Sequence, residues 1–309
     1  MHVYGPVPSR RLGSSLGVSP IPSKACSYSC VYCQIGKTDK YSITPKSYYD
    51  KTVILKEIEQ AVKNSTLDYI TFAGDGEPTL SSDLAWLLRK CKTEFNIPTA
   101  VITNSSLIYQ EKVAEALQEA DLILPSIDAG CEKTFKKINR PHKDLDFLKI
   151  IDGLISFSKY TTTKIWTETM LVKDYNATME EINKISNIIT AIAPEKSFVM
   201  IPTRPPLVQV EKPNADIFLY AQKTISNMTP LDFTESGNFS TSDYDNLADA
   251  IRNIAARHPL RLSQAQKIAG KFNESIDELL SKGMFVKRYY EGDHYIIPVK
   301  LINTKTGGK

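Results

Sequence analysis

The sequence has no apolar run approaching the roughly 18 residues that a membrane-spanning helix needs. Its first residues, MHVYGPVPSRRLG, lack the apolar core of a secretory signal. Cysteine is scarce: five in 309 residues, three of them in one short stretch, which is no disulfide framework. The expected setting is therefore a reduced cytoplasm without membrane attachment. Excess charge is also missing, with 38 Lys and Arg against 35 Asp and Glu. A net charge of +3 neither demands nor excludes nucleic acid, because a local basic face can bind phosphates by itself. Lysines gather between Lys37 and Lys63 and between Lys133 and Lys149, where solvated helix faces account for most of them. There is no internal repeat and no low-complexity tract. Gly36-Lys37-Thr38 is not a phosphate loop, because Val31 stands where that motif needs glycine.

The middle of the chain alternates β-rich runs with amphipathic ones. Strands are expected at residues 17–21, 69–73, 99–103, 122–127, 164–172 and 196–201. Helices are expected at 53–63, 84–91, 111–119, 147–159 and 179–192. Such βα alternation implies parallel strands with crossover helices, curled into an open, partial (β/α)6 barrel. Working groups in βα barrels sit at the C-terminal ends of the strands. A further helix is expected at 215–227, and 236–242 reads as a linker. A small second domain follows, with helices at 243–256, 262–270 and 274–282. Strands at 284–290 and 294–299 follow, joined through Glu291-Gly-Asp293. The expected division is 1–235, 240–300 and a disordered tail at 301–309. Three helices and a terminal hairpin resemble a winged-helix domain. Its third helix carries Glu274, Asp277 and Glu278, which disfavours it as a phosphate-facing element.

What the chain does have is Cys26-Ser-Tyr-Ser-Cys30-Val-Tyr-Cys33, a C-x3-C-x2-C loop after the first expected strand. Thiolates bind soft metals and iron–sulfur clusters. Three of them can hold three irons of a [4Fe–4S] cube and leave the fourth iron open. The competing reading of Cys30 and Cys33 alone is a redox dithiol or half a zinc site. A closed zinc site needs a fourth ligand, and no second C-x2-C exists. One βα unit later comes Ala73-Gly-Asp-Gly-Glu-Pro78, whose glycines let backbone approach a ligand closely. It lacks the third glycine of a dinucleotide fingerprint, and a plain βα turn is the alternative.

These two motifs together resemble the radical S-adenosylmethionine (radical SAM) superfamily. The resemblance implies that Cys26, Cys30 and Cys33 ligate a [4Fe–4S] cluster whose open iron chelates S-adenosylmethionine (SAM). It also implies reductive cleavage of SAM to a 5′-deoxyadenosyl radical that takes hydrogen from a substrate. Gly74, Asp75, Gly76, Glu77 and Pro78 would frame the methionine moiety, and Tyr32 would lie near the adenine. Asn104, Ser126 and Asp128 would hold the nucleoside. An external donor of flavodoxin or ferredoxin type would supply the electron.

Ser126 and Asp128 share one face of a strand, and so do Glu168 and Met170. An Asx cap is the alternative for Asp128. Glu168, a carboxylate inside the barrel, is a candidate for cofactor or substrate contact, with a structural ion pair as the alternative, and Met170 has a plain core position as its alternative. Arg140 and Arg204 are candidates for an anionic substrate, with fold-internal salt bridges as the alternative. The runs Gly5–Gly13 and Ser15–Pro22, with the Gly-Asp-Gly-Glu-Pro motif, resemble the branch grouped with the wyosine-tRNA synthetases. That resemblance implies RNA modification. Cys91 and Cys131 stand alone, short of the second cysteine set that archaeal wyosine synthases carry. Modification of a protein, peptide or small molecule is the second reading. A non-enzymatic, zinc-binding winged-helix regulator is the third.

Overall fold

The structure is a computed structural model that describes residues 1–206, 208–232, 239, 241 and 244–299. The expected tail, 301–309, lies outside these residues, as does most of the expected linker.

The chain opens with an antiparallel hairpin, β1 (Val3–Ser9) and β2 (Gly13–Val18). Two very short strands, β3 (Ala25–Cys26) and β4 (Lys40–Tyr41), pair in parallel and pin both ends of the cysteine loop. The expected alternation follows. Strands β5 (Tyr69–Phe72), β6 (Thr99–Thr103), β7 (Leu122–Pro125), β8 (Lys164–Met170) and β9 (Lys196–Met200) join β2 in parallel. With β1 at one edge this gives a seven-stranded sheet in the order β1-β2-β5-β6-β7-β8-β9.

Helices α1 (Lys51–Lys63), α2 (Leu84–Glu94), α3 (Glu111–Gln118), α4 (Glu132–Ile138), α5 (Phe147–Tyr160), α6 (Met179–Ile192) and α7 (Ala215–Thr224) accompany the sheet. Their faces follow from spacing. In α6, Ile182, Ile185, Ile189 and Ile192 recur every three to four residues and are all buried, while Thr178 caps the Glu181 N–H.

Alternation along the strands sorts side chains to two sides. Ile70, Phe72, Val101, Ile123 and Val199 join the helices in the main core. Ala100, Leu122, Leu124, Trp166 and Phe198 gather in a separate cluster around Leu12 from the β1–β2 turn. That second cluster is the interior of a curled sheet, and it floors the barrel as layered side chains do in closed βα barrels. From the same turn, Arg11 places one guanidinium nitrogen 2.7 Å from Glu168 Oε1 and 2.9 Å from Met200 Sδ. It thus bridges from the start of the sheet to its far strands. The partial barrel is as expected. The first parallel strand, however, spans Gly13–Val18 rather than 17–21, and the antiparallel β1 beside it was not foreseen.

The C-terminal part has α8 (Leu247–Arg257), β10 (Leu260–Arg261), α9 (Leu262–Lys271), α10 (Ile276–Ser281), β11 (Phe285–Tyr290) and β12 (Asp293–Pro298). Its sheet order is β10-β12-β11. Tyr290 pairs with Asp293 across Glu291 (φ 48°) and Gly292 (φ 86°), a two-residue turn whose twist suits a hairpin. Helix α8 starts at Leu247 with Asn246 as its cap, later than the start at residue 243 that was expected. Its core of Ile251, Ile254, Ile268, Leu279, Phe285 and Ile296 also takes in Tyr4 and Val7 of β1.

Candidate active site

The cysteine loop and the Gly-Asp-Gly-Glu-Pro loop are stitched together by backbone. The Lys24 N–H donates to the Asp75 carbonyl (2.7 Å) and the Glu77 N–H to the Ala25 carbonyl (3.1 Å). A Cβ on Gly76 would lie 1.8 Å from the Ala25 oxygen, so no other residue fits at this crossing. Gly74, at φ 118°, would set its Cβ 3.0 Å from the Tyr4 hydroxyl. On its other side the cysteine loop is strapped to the segment after α4, through Val31 N–H to Ile138 (2.9 Å) and His142 N–H to Ser27 (2.8 Å).

Cys26, Cys30 and Cys33 are all free thiols, and all three line one cavity of about 360 Å3. Around Cys26, the Tyr28 N–H donates to the sulfur (3.4 Å), and so does the Asn104 side-chain amide (3.6 Å). The Asn139 amide donates to the Cys30 sulfur (3.5 Å). Burial pushes the Cys26 thiol up to about 12 and the Cys30 thiol well above its ordinary value. The Glu77 carboxylate adds to the first shift and the Asp128 carboxylate to the second. The shift disfavours free thiolate, so a bound metal would have to displace these protons against it. Among the described residues no three His, Cys, Asp or Glu side chains converge as ligands of a single ion. A four-iron cube spreads its thiolates, each on its own iron, so a loop of three cysteines with amide donors fits it.

Three carboxylates around the cavity are at most 3% exposed. Glu77 accepts from the Thr79 N–H (3.1 Å), the Thr79 and Thr103 hydroxyls (2.7 Å each) and the Asn104 N–H (2.7 Å). It thereby locks the end of β6 to the loop after β5 and sets Asn104 beside Cys26. Asp128 accepts from the Tyr32 hydroxyl, the Asn139 amide (2.8 Å) and the Met170 N–H (2.9 Å). That fixes the Tyr32 ring in the cavity wall. Glu168 has Arg11 as its partner. Burial raises the pKa of all three above the ordinary carboxylate range. Hydrogen bonds oppose the rise at Glu77 and Asp128, and the Arg11 and Arg10 charges oppose it at Glu168.

The structure brings most of the expected residues to this cavity: Tyr32, Gly74, Gly76, Glu77, Asn104, Ser126, Asp128, Glu168 and Arg204, with the three cysteines. Asp75 and Pro78 do not line it. Asp75 faces Arg257, and Pro78 starts a 3-10 turn. Arg140 is exposed and also outside the lining; its backbone carbonyl accepts from the Ser29 N–H and the Tyr41 hydroxyl.

Sequence reasoning missed Asn139, Arg257 and His258. Asn139 ends α4, a seven-residue helix too short to show a period. Arg257 and His258 end α8, and Arg257 lies 182 residues beyond Asp75, so no local signal marks them. Arg257 Nε is 2.8 Å from Asp75 Oδ2, its carbonyl accepts from Gln34 (2.8 Å), and its guanidinium lies over the Tyr4 ring. His258 Nε2 is 2.9 Å from an Arg204 guanidinium nitrogen.

A curled, mostly parallel sheet with reduced thiols and buried polar groups gathered at its strand ends has the architecture of a partial βα barrel with its site at the strand ends. The sequence profile of the radical SAM superfamily matches residues 21–185, and the chain belongs to that superfamily. Members bind a [4Fe–4S] cluster and SAM. UPF0026 protein MJ1312 of Methanocaldococcus jannaschii is 35% identical over 300 residues, covering 94% of this chain and 93% of that protein. A probable dual-specificity RNA methyltransferase RlmN of Prochlorococcus marinus is 26% identical over 175 residues, 53% of this chain and 49% of the relative. Among solved structures, TYW1 with a lysine-pyruvate adduct bound shares the fold, with a TM-score of 0.51 and 14% identity. That match covers 69% of this chain and 74% of the other. No helix among the described residues is long and apolar enough to cross a membrane.

Proposed function

We propose that Cys26, Cys30 and Cys33 hold the [4Fe–4S] cluster and that the adjoining cavity receives SAM. The observation that carries this reading is the backbone stitch, which places the glycine loop against the cysteine loop at the rim of one cavity. When bound, the cluster supplies the electron that cleaves SAM reductively, leaving a 5′-deoxyadenosyl radical to take hydrogen from the substrate.

The residues of the chain do the positioning. Gly74 and Gly76 expose backbone to the methionine moiety. Tyr32, held by Asp128, offers an aromatic face to the adenine. Ser126 and Glu168 present polar atoms from the barrel interior toward the ribose, and Asn104 borders both loops. The hydrophobic floor around Leu12 keeps water from below.

The substrate is an anionic one, and RNA suits the site best. Arg10, Arg204, Arg257 and His258 line the same cavity, and guanidinium groups suit phosphate geometry. The naming of one relative as an RNA methyltransferase agrees with this reading. The C-terminal part, from about residue 240, is then a winged-helix-like module that docks the substrate over the cavity and contributes Arg257 and His258. A flavodoxin- or ferredoxin-type donor is the proposed source of the electron.

Anaerobic reconstitution tests the assignment. The full-length protein should take up four irons and four sulfides and release 5′-deoxyadenosine from SAM under reduction, and Cys30→Ala should do neither. A colourless zinc protein, or undiminished cleavage by Cys30→Ala, contradicts it. Deuterium carried into 5′-deoxyadenosine from labelled RNA supports the substrate class; deuterium from peptide alone replaces it with a protein substrate.

A further inference from the structure

Two side-chain amides point at cysteine sulfurs, and neither can be turned around. Asn139 is 4% exposed. Its amide nitrogen lies 2.8 Å from Asp128 Oδ2 and 3.5 Å from Cys30 Sγ. The carboxylate oxygen accepts, so the nitrogen and not the oxygen is assigned to this side, which also sets it toward the sulfur. Asn104 is fixed from the opposite end. Its Oδ1 accepts from the backbone N–H of Ser106 (2.9 Å), a group that can only donate. Its nitrogen is left facing Ser27 Oγ (2.9 Å) and Cys26 Sγ (3.6 Å).

The two amides sit on separate elements. Asn104 follows β6, where Glu77 grips its backbone N–H. Asn139 closes α4 and braces Asp128. Two independent parts of the fold thus bring the same group to the same kind of atom.

We propose that Asn104 and Asn139 are positioning residues whose N–H donors set the reduction potential of the cluster held by Cys26 and Cys30. The inference rests on the ligand assignment above. Hydrogen bonds to cluster sulfurs draw electron density from the thiolates and favour the reduced, more negative form. The couple takes up one electron, supplied in the assay by dithionite, and no bond of the protein is made or broken. Each donor therefore raises the midpoint and eases reduction.

The test is a redox titration of the reconstituted full-length protein, followed by the electron paramagnetic resonance signal of the reduced cluster. The variants are Asn139→Leu and Asn104→Val. Asn139→Leu also releases Asp128; Asn104→Val does not touch it, so a shift in both separates the sulfur contact from the carboxylate. Each variant should load four irons and need a more negative midpoint. At fixed potential its reduced-to-oxidised ratio should fall about tenfold, or about 59 mV for a one-electron couple. Loaded variants with the wild-type midpoint overturn the proposal. So does failure of both variants to load while the wild type loads, because the amides then serve the fold alone. A wild type that takes up no cluster counts instead against the ligand assignment.

Discussion

Gly76→Ala gives the sharpest test of how the site is built. The added methyl would stand 1.8 Å from the Ala25 carbonyl oxygen, where a Cβ needs 3.0 Å or more. Backbone cannot swing aside as a flexible side chain does, so the two loops must part by about an ångström. Parting breaks two bonds, Lys24 N–H to Asp75 O at 2.7 Å and Glu77 N–H to Ala25 O at 3.1 Å. Buried groups left unsatisfied cost about 1–3 kcal/mol each, so the pair costs about 2–6 kcal/mol. For a chain of this size that lowers the melting temperature by on the order of 10 °C. The same movement drags Cys26 from its place, since Ala25 and Cys26 form β3. Thermal unfolding of the metal-free protein reads the first effect, and iron and sulfide content after reconstitution reads the second. A variant that melts with the wild type and loads four irons would refute the close crossing of the two loops.

Gly270→Ala is the opposite case: nothing among the described residues lies within 4 Å of its Cβ position in α9, so it should stabilise by about 0.5–1 kcal/mol in denaturant titration. Glu77→Gln sets an amide against four donors and should cost about 1–3 kcal/mol in the same assay, with weaker SAM binding by calorimetry. Arg257→Ala strips the cation from an Asp75 side chain that is 8% exposed, at a cost of about 3–5 kcal/mol. Faster amide exchange at α8 and in residues 73–78 should accompany it, and unchanged exchange there argues against the Arg257–Asp75 pair as a link between the two. The buried Glu168 carboxyl keeps its proton to higher pH when folded than when unfolded. Its contribution is therefore most favourable in acid and is lost as pH rises from the ordinary glutamate range through the raised value. The stability gap between wild type and Glu168→Gln should change only in that window. A gap constant from pH 4 to 8 would contradict the raised value.

Much of the barrel was legible because its signals are local. The strand at residues 99–103 and the helix at 179–192 fall on the expected positions, since each pairs a clear period with capping or β-branched chemistry. Strand β1 was missed because prolines, a glycine and polar residues interrupt it, and only pairing with β2 makes it a strand. The start of β2 was missed for a similar reason: Gly13-Ser14-Ser15 carries no β signal, yet Ser15 and Thr71 share a hydroxyl hydrogen bond at 2.7 Å inside the sheet. At the site, the cysteines and the glycine loop stand out by spacing. Asn139 did not, because an asparagine after a short helix looks like any other helix end.

Sequence alone marked out the candidates: three thiols at fixed spacing, two glycines where a strand stops, and Ser126, Asp128 and Glu168 at or beside strand ends. Those are properties of neighbours along the chain, and a period or a spacing records them. Tertiary structure alone decided that Gly76 crosses Ala25, that two asparagine amides face sulfur, and that Arg257 reaches Asp75 from 182 residues away. Contacts of that kind arise where separate elements close on each other, and distance along the chain carries no trace of them.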